Sequence, residues 1–267
     1  GRIAAPLFFY ALAVGFQHTR NRKKYLLRLY LANVGMVFFN QIMCMLQRKL
    51  DYVAYQPKNH NIFTTLFCAG VLICIWENRK EKKKFFTYIG IYIFWQAMVM
   101  GLAILAEAFD YVWRGNALLQ TVLRTNYIFP LLGGIWDAEG GVFFIVLGVW
   151  LYCAVENKWK LALRYILFCG AYMFMCQGDI LYRIMSRFSF WGYHKLADVI
   201  YFGSSFVGIP LGTSDLSLLT EFYQWMMIGA LPIMLSCNGK RGKSLKWLFY
   251  AAYPLQFLVL YGISYYK

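Results

Sequence analysis

Long stretches of this chain carry no charge, and the charged residues gather between them. Phe85–Leu105 is uncharged; a helix over it would be roughly 30 Å long, about the thickness of one hydrocarbon core. Trp247–Tyr265 is likewise uncharged, and Leu26–Leu46 carries only Arg28, close enough to its end for the side chain to snorkel. Shorter apolar runs lie at Ile3–Phe16, Ile62–Trp76, Gly141–Val155, Leu161–Met175, Val199–Leu211 and Phe222–Cys237. Each is below the roughly 17 residues needed to span and must borrow flanking residues or tilt. The pattern predicts an all-α, polytopic transmembrane bundle of about eight to ten spans in one domain, residues 1–267.

Composition agrees. The chain is 60% hydrophobic and 15% charged, against about 45–50% and 25% in soluble domains. So much apolar surface needs lipid to cover it. The net charge of +15 would suggest nucleic acid in a soluble protein. Here the basic residues sit between apolar runs, which reads as a cytosolic-face marker and predicts lipid rather than nucleic acid as partner.

The basic clusters are Arg20–Lys24, Arg79–Lys84 and Lys240–Lys243. Placing the first two in the cytosol fits the spans between them. The third joins them only if an even number of spans intervenes, and five apolar runs do. Two readings restore parity: an extra broken span over Leu118–Trp136, interrupted by Arg124, Pro130 and Gly133-Gly134, or a re-entrant segment at Val199–Leu211, which ends at Pro210. Either predicts at least one broken or re-entrant segment beside a protein-lined cavity in the second half.

Candidate chemistry is sparse. The seven cysteines lie in or at the ends of apolar runs without metal-ligand spacing, so no metal is expected. His18 ends the first run beside the basic cluster and is a candidate base, or a hydrogen-bond donor to a phosphorylated substrate, whereas His60 and His194 read as a helix cap and an interfacial anchor. Among carboxylates, Glu107 and Asp110 end a long span, Asp137 and Glu139 flank the broken segment, Asp179 pairs at helical spacing with Arg183, and Glu221 opens an apolar run.

Several stretches resemble the TraX family. They are Gly1-Arg2-Ile3-Ala4-Ala5-Pro6-Leu7-Phe8, Gly15-Phe16-Gln17-His18-Thr19-Arg20-Asn21 and Tyr25-Leu26-Leu27-Arg28-Leu29. Asn61-Ile62-Phe63-Thr64 and Asn238-Gly239-Lys240-Arg241-Gly242-Lys243, with Phe249-Tyr250 and Tyr253-Pro254-Leu255, follow in order. The resemblance implies a bacterial inner-membrane, multi-pass acyltransferase. It would move an acetyl group from acetyl-CoA to an amine or hydroxyl, on a pilin N-terminus or another envelope molecule. It also implies a helix carrying an Asp-His pair ahead of Gly1, so that residues 1–267 would lack the domain's first helix. The family's closing motif often has a histidine where this chain has Gln256, which can hydrogen-bond a substrate but cannot act as a base.

On that footing Arg2 and His18 are assigned to catalysis along the substrate path. Asn61, Tyr253 and Gln256 are assigned to the acceptor. Arg20, Arg22, Lys23, Lys24, Lys240 and Arg241 are assigned to the phosphates of acetyl-CoA. Two other classes compete. The broken segments would suit a small-solute transporter, and the missing family histidines would suit a non-catalytic component of a secretion or envelope assembly.

Overall fold

A computed structural model describes residues 2–49, 61–114, 127–136, 138–177, 187, 200, 203–204, 206–209, 223–237 and 246–265. All regular structure among them is helical. The principal helices are α1 (Ala4–His18), α2 (Arg22–Lys49), α3 (Ile62–Glu77), α4 (Lys82–Arg114), α5 (Gly141–Tyr152), α6 (Lys158–Gln177), α7 (Ala230–Ser236) and α8 (Lys246–Tyr265). A 3₁₀ turn over Asn78–Lys80 joins α3 to α4, and another over Tyr223–Gly229 leads into α7.

Local chemistry fixes several boundaries. The Asn21 side chain accepts from the Lys24 backbone N–H at 3.0 Å and starts α2. Asn157 does the same for Trp159 and Lys160 at 3.0 and 3.1 Å and starts α6. Pro6 falls in the first turn of α1, where its missing N–H costs nothing. Asn78 closes the other end of α3 by donating to the Cys74 carbonyl at 2.8 Å.

Three helices, α1, α3 and α5, run side by side in the same direction. Phe9 meets Phe144 near their beginnings and Phe16 meets Tyr152 near their ends. Gly148 lies against Ala69, Phe9 and Leu12 midway, where a side chain would hold the backbones apart. α2 returns antiparallel, with Leu26 at Gly70 and Asn33 at Thr64. α8 also runs against α1. Its Tyr250 is within electrostatic reach of Arg28, whereas Gln256 and Leu260 approach Arg2 and Ala4. The buried core is aromatic and aliphatic, built from residues such as Phe9, Phe16, Phe63, Leu66, Leu147 and Phe168.

This arrangement has two unlike ends. At one, Arg22 bridges to Glu77 at 2.8 Å, donates to the Thr19 carbonyl at 2.8 Å and lies over the Phe16 ring; Tyr152 donates to Glu77 at 2.6 Å. The clusters containing Arg20–Lys24 and Arg79–Lys84 flank this tie. At the other end lie Arg2, Asn61 and the turn before Gly141.

The expected break between α4 and α5 is present in the described part. One helical turn over Phe129–Leu131 gives way to irregular backbone, with Gly133 and Gly140 at positive φ. The exposed carbonyls are met by side chains from the long helices. Asn33 donates to Pro130 O at 2.6 Å, Tyr30 to Leu131 O at 2.8 Å and Trp95 to Leu132 O at 3.0 Å. Gln96 donates to Gly133 O at 3.1 Å and accepts from Ile135 N–H at 2.9 Å. Such backbone is stable at membrane depth only when protein supplies its partners. Gln96→Leu should therefore strand the Ile135 N–H, leave the Gly133 carbonyl only the Cys68 thiol at 3.5 Å, and destabilise the protein by about 1–3 kcal/mol, read as a lowered unfolding temperature in detergent.

Four helical segments are long and apolar enough to cross a membrane: Arg22–Leu46, Ile62–Lys80, Lys82–Ala106 and Lys158–Cys176. Gly141–Tyr152 and Trp247–Leu260 are shorter apolar helices. α4 leaves Phe86, Ile91, Ile93, Phe94, Ile104 and Leu105 exposed, a surface that lipid rather than water would cover. The chain is a membrane protein.

Candidate functional site

At the end away from the basic clusters, a cavity of about 270 Å³ opens among α1, α5, α8 and the Tyr223–Gly229 turn. Its polar lining comes from Arg2, Glu139, Gln224, Tyr253 and Gln256; Ala5, Phe8, Ile62, Phe144 and Phe257 form much of the apolar wall.

Glu139 is the carboxylate of this cavity. It lies in the turn before α5, immediately ahead of the positive-φ pair Gly140 and Gly141. Its backbone carbonyl accepts from the Thr65 hydroxyl at 2.9 Å, which pins the turn to α3. The Tyr253 hydroxyl donates to its carboxylate, as does the Asn61 backbone N–H. Burial disfavours the charged form and pushes the Glu139 carboxyl up to about 7, although Tyr253, the Arg2 charge and the Asn61 N–H each pull the other way. A carboxyl held near neutrality can both take and return a proton.

Tyr253 is fixed by its ring, which packs edge-on against Phe8, Phe63 and Phe257. Pro254 follows it and leaves the Tyr250 carbonyl without the usual helical donor. Asn61 is held by Asn33, to which its side-chain amide donates at 2.7 Å; Thr64 donates to the same Asn33 oxygen at 2.7 Å. The Asn61 side-chain oxygen is buried and has no partner.

Of the residues selected from sequence, Arg2, Tyr253 and Gln256 line this cavity and Asn61 adjoins it. His18 does not join them. It is exposed at the far end of α1, about 22 Å along the helix by its rise. Arg20, Lys23 and Lys24 are exposed at that same end, but the Arg22 guanidinium is engaged by Glu77 and Thr19. Lys240 and Arg241 lie outside the described residues, as do His60, Arg124, Asp137, Asp179, Arg183, His194 and Glu221. The side chains of Glu107 and Asp110 also lie outside them. Among the described residues no cluster suited to a metal ion occurs.

The TraX protein family matches residues 1–173, which include Arg2, Asn61 and Glu139. The chain belongs to the TraX family. No curated protein and no solved structure matches it.

Proposed function

We propose that this TraX-family member is a multi-pass inner-membrane acyltransferase that transfers acetyl to an amine or hydroxyl, with Glu139 as the base. The observation that carries this reading is the Glu139 carboxyl, held near neutrality by burial and oriented by Tyr253 in a cavity that also contains Arg2 and Gln256.

The chain's own groups suit the reaction. Glu139 takes the acceptor's proton, and the freed lone pair forms the new bond to the acyl carbon as the carbon–sulfur bond breaks; the sulfur leaves with the bonding pair as the thiolate of coenzyme A, and Glu139 returns the proton to it. Arg2 and the Gln256 amide are donors for the oxyanion that develops on the acyl oxygen. Acetyl-CoA, when bound, supplies a thioester carbonyl with a good leaving group. The cavity is below the roughly 300 Å³ of the smallest drug-sized pockets, so it suits an acyl end or an acceptor group rather than the nucleotide. The exposed Arg20, Lys23 and Lys24 suit the donor's phosphates at the opposite end. Basic clusters favour the cytosol, which would turn the Glu139 cavity toward the envelope side and make the acceptor an envelope molecule.

Protein in nanodiscs, given labelled acetyl-CoA and an envelope extract, should label an acceptor. Failure of any acceptor to gain label, with a longer chain doing no better, would overturn the reading. Tyr253→Phe keeps the ring packing but loses the hydrogen bond to Glu139. Transfer should fall by about tenfold, and the midpoint of the pH–rate profile should move upward because that bond favours the charged carboxylate. A purely structural Tyr253 would leave the midpoint where it was.

A proton-coupled transporter is the second reading, because buried Glu139 lies where two irregular segments meet. Uptake of solute into proteoliposomes without acyl donor would favour it.

A further inference from the structure

The cavity is built to receive negative charge as well as to move a proton. α1, α3 and α5 all begin at it. None of their N-termini is capped by a side chain, and none has an acidic residue in its first turn. The unpaired N–H groups and aligned dipoles at such ends favour an anion. Arg2 stands at the same place, exposed, with no ion pair among the described residues. Glu139 answers only part of this field, since burial disfavours its charged form.

Acceptors for a proton donor sit alongside. Glu139 is one. The Gln256 side-chain oxygen, on the cavity wall, is another. One cation and three helix ends therefore stand beside two acceptors, in a space of about 270 Å³.

From this arrangement we propose that the cavity binds a small ampholytic group: an amine, or a hydroxyl, carried a few bonds from a phosphate or carboxylate. The anionic oxygens lie against Arg2 and the helix N-termini, and the N–H or O–H faces Glu139 and Gln256. The inference rests on the acyltransferase reading only in calling this group the acceptor. Its binding needs no acyl donor.

The test is equilibrium binding to detergent-purified protein without acetyl-CoA, using O-phosphoethanolamine, β-alanine and propylamine as probes. O-phosphoethanolamine and β-alanine should each bind at least about tenfold more tightly than propylamine, which has the amine but no anion. Arg2→Gln, at an exposed position with no ion pair among the described residues, should weaken both anionic probes by about tenfold and leave propylamine unchanged. Equal binding of all three probes, or anion binding indifferent to Arg2→Gln, overturns the proposal. Competition in nanodiscs then separates the sources. Displacement of O-phosphoethanolamine by phosphatidylethanolamine but not phosphatidylcholine assigns a lipid headgroup; no displacement, with the probe still bound, assigns a soluble or peptide-borne anion. Because nothing is transferred in this assay, ampholyte binding can fail while acetyl transfer persists, and the reverse.

Discussion

Glu139→Gln should lower acyl transfer by a hundredfold or more, the ordinary cost of losing a general base, while the protein still folds. Glutamine keeps one oxygen for the Tyr253 hydroxyl, and the Thr65 bond to the backbone carbonyl is untouched, so the turn before α5 retains a tie to both α8 and α3. It cannot accept the acceptor's proton. The wild-type rate should rise with pH through about 7 and then level, following deprotonation of Glu139, and the residual rate of the variant should lack that limb. Stability should move the other way. The folded carboxyl is raised from its ordinary 4.5 to about 7, so between those values the unfolded chain releases a proton that the folded protein retains. Wild-type stability therefore falls as pH rises across this window and stays lowered above it. Glu139→Gln removes the effect and should be more stable than wild type above pH 7, by on the order of 3 kcal/mol. Unfolding in detergent at pH 5 and pH 8, beside transfer rates, checks both halves. A variant that transfers normally, or whose stability tracks wild type at both pH values, sinks the assignment of Glu139 as base.

The legible and illegible parts of this protein divide by range. Membrane character needed only uncharged runs such as Phe85–Leu105, because lipid reads composition locally. The break near Pro130 and Gly133-Gly134 was legible for the same reason: a proline followed closely by a glycine pair disfavours continuous helix locally. Arg2, Tyr253 and Gln256 were legible through family motifs, although nothing in their spacing says that α1 and α8 bring them to one cavity. Glu139 was visible as a carboxylate flanking the break, but its importance was not, since the shift in its acidity depends on burial by helices that lie far away in sequence. Arg22 shows the reverse error. In sequence it belongs to a solvated basic cluster; in the fold Glu77, distant along the chain, draws it into a tie between helices. His18 was coupled to Arg2 because successive family stretches carry them, but a helix between two residues sets them apart as firmly as it connects them.

The two breaks that restored charge parity were alternatives in the sequence. In the structure the described part of each is helical at first (Phe129–Leu131; residues 200, 203–204 and 206–207) and ends in irregular backbone, and those irregular ends touch. Gly208, at φ +88°, lies against Gly140 and Gly141, whose φ values are +78° and +65°. The Ser204 carbonyl accepts from both the Gly208 and Ile209 N–H groups at 2.9 Å, and Tyr172 donates to the Gly208 carbonyl at 3.2 Å. Two backbones can approach this closely only where neither carries a side chain. The crossing sets the position of the turn that presents Glu139.

Gly208→Ala should consequently be among the most damaging small substitutions in the chain. A methyl there would overlap the Gly140 carbonyl oxygen and fall 3.0 Å from the Gly141 Cα, and all of these neighbours are backbone, with no flexible side chain to yield. The left-handed conformation adds roughly 1–2 kcal/mol for any residue with a Cβ. Together these should exceed about 4 kcal/mol, the range associated with outright misfolding. The measurable outcome is loss of monodisperse protein after extraction or, if some survives, loss of both acetyl transfer and ampholyte binding. Gly35→Ala is the matched control. It adds the same methyl to an exposed position in α2 with nothing within 4 Å, and should be neutral or stabilise by up to about 1 kcal/mol. If Gly208→Ala behaves like Gly35→Ala, the two irregular segments do not cross as closely as they are placed here, and Glu139 must be held by α3 and α8 alone.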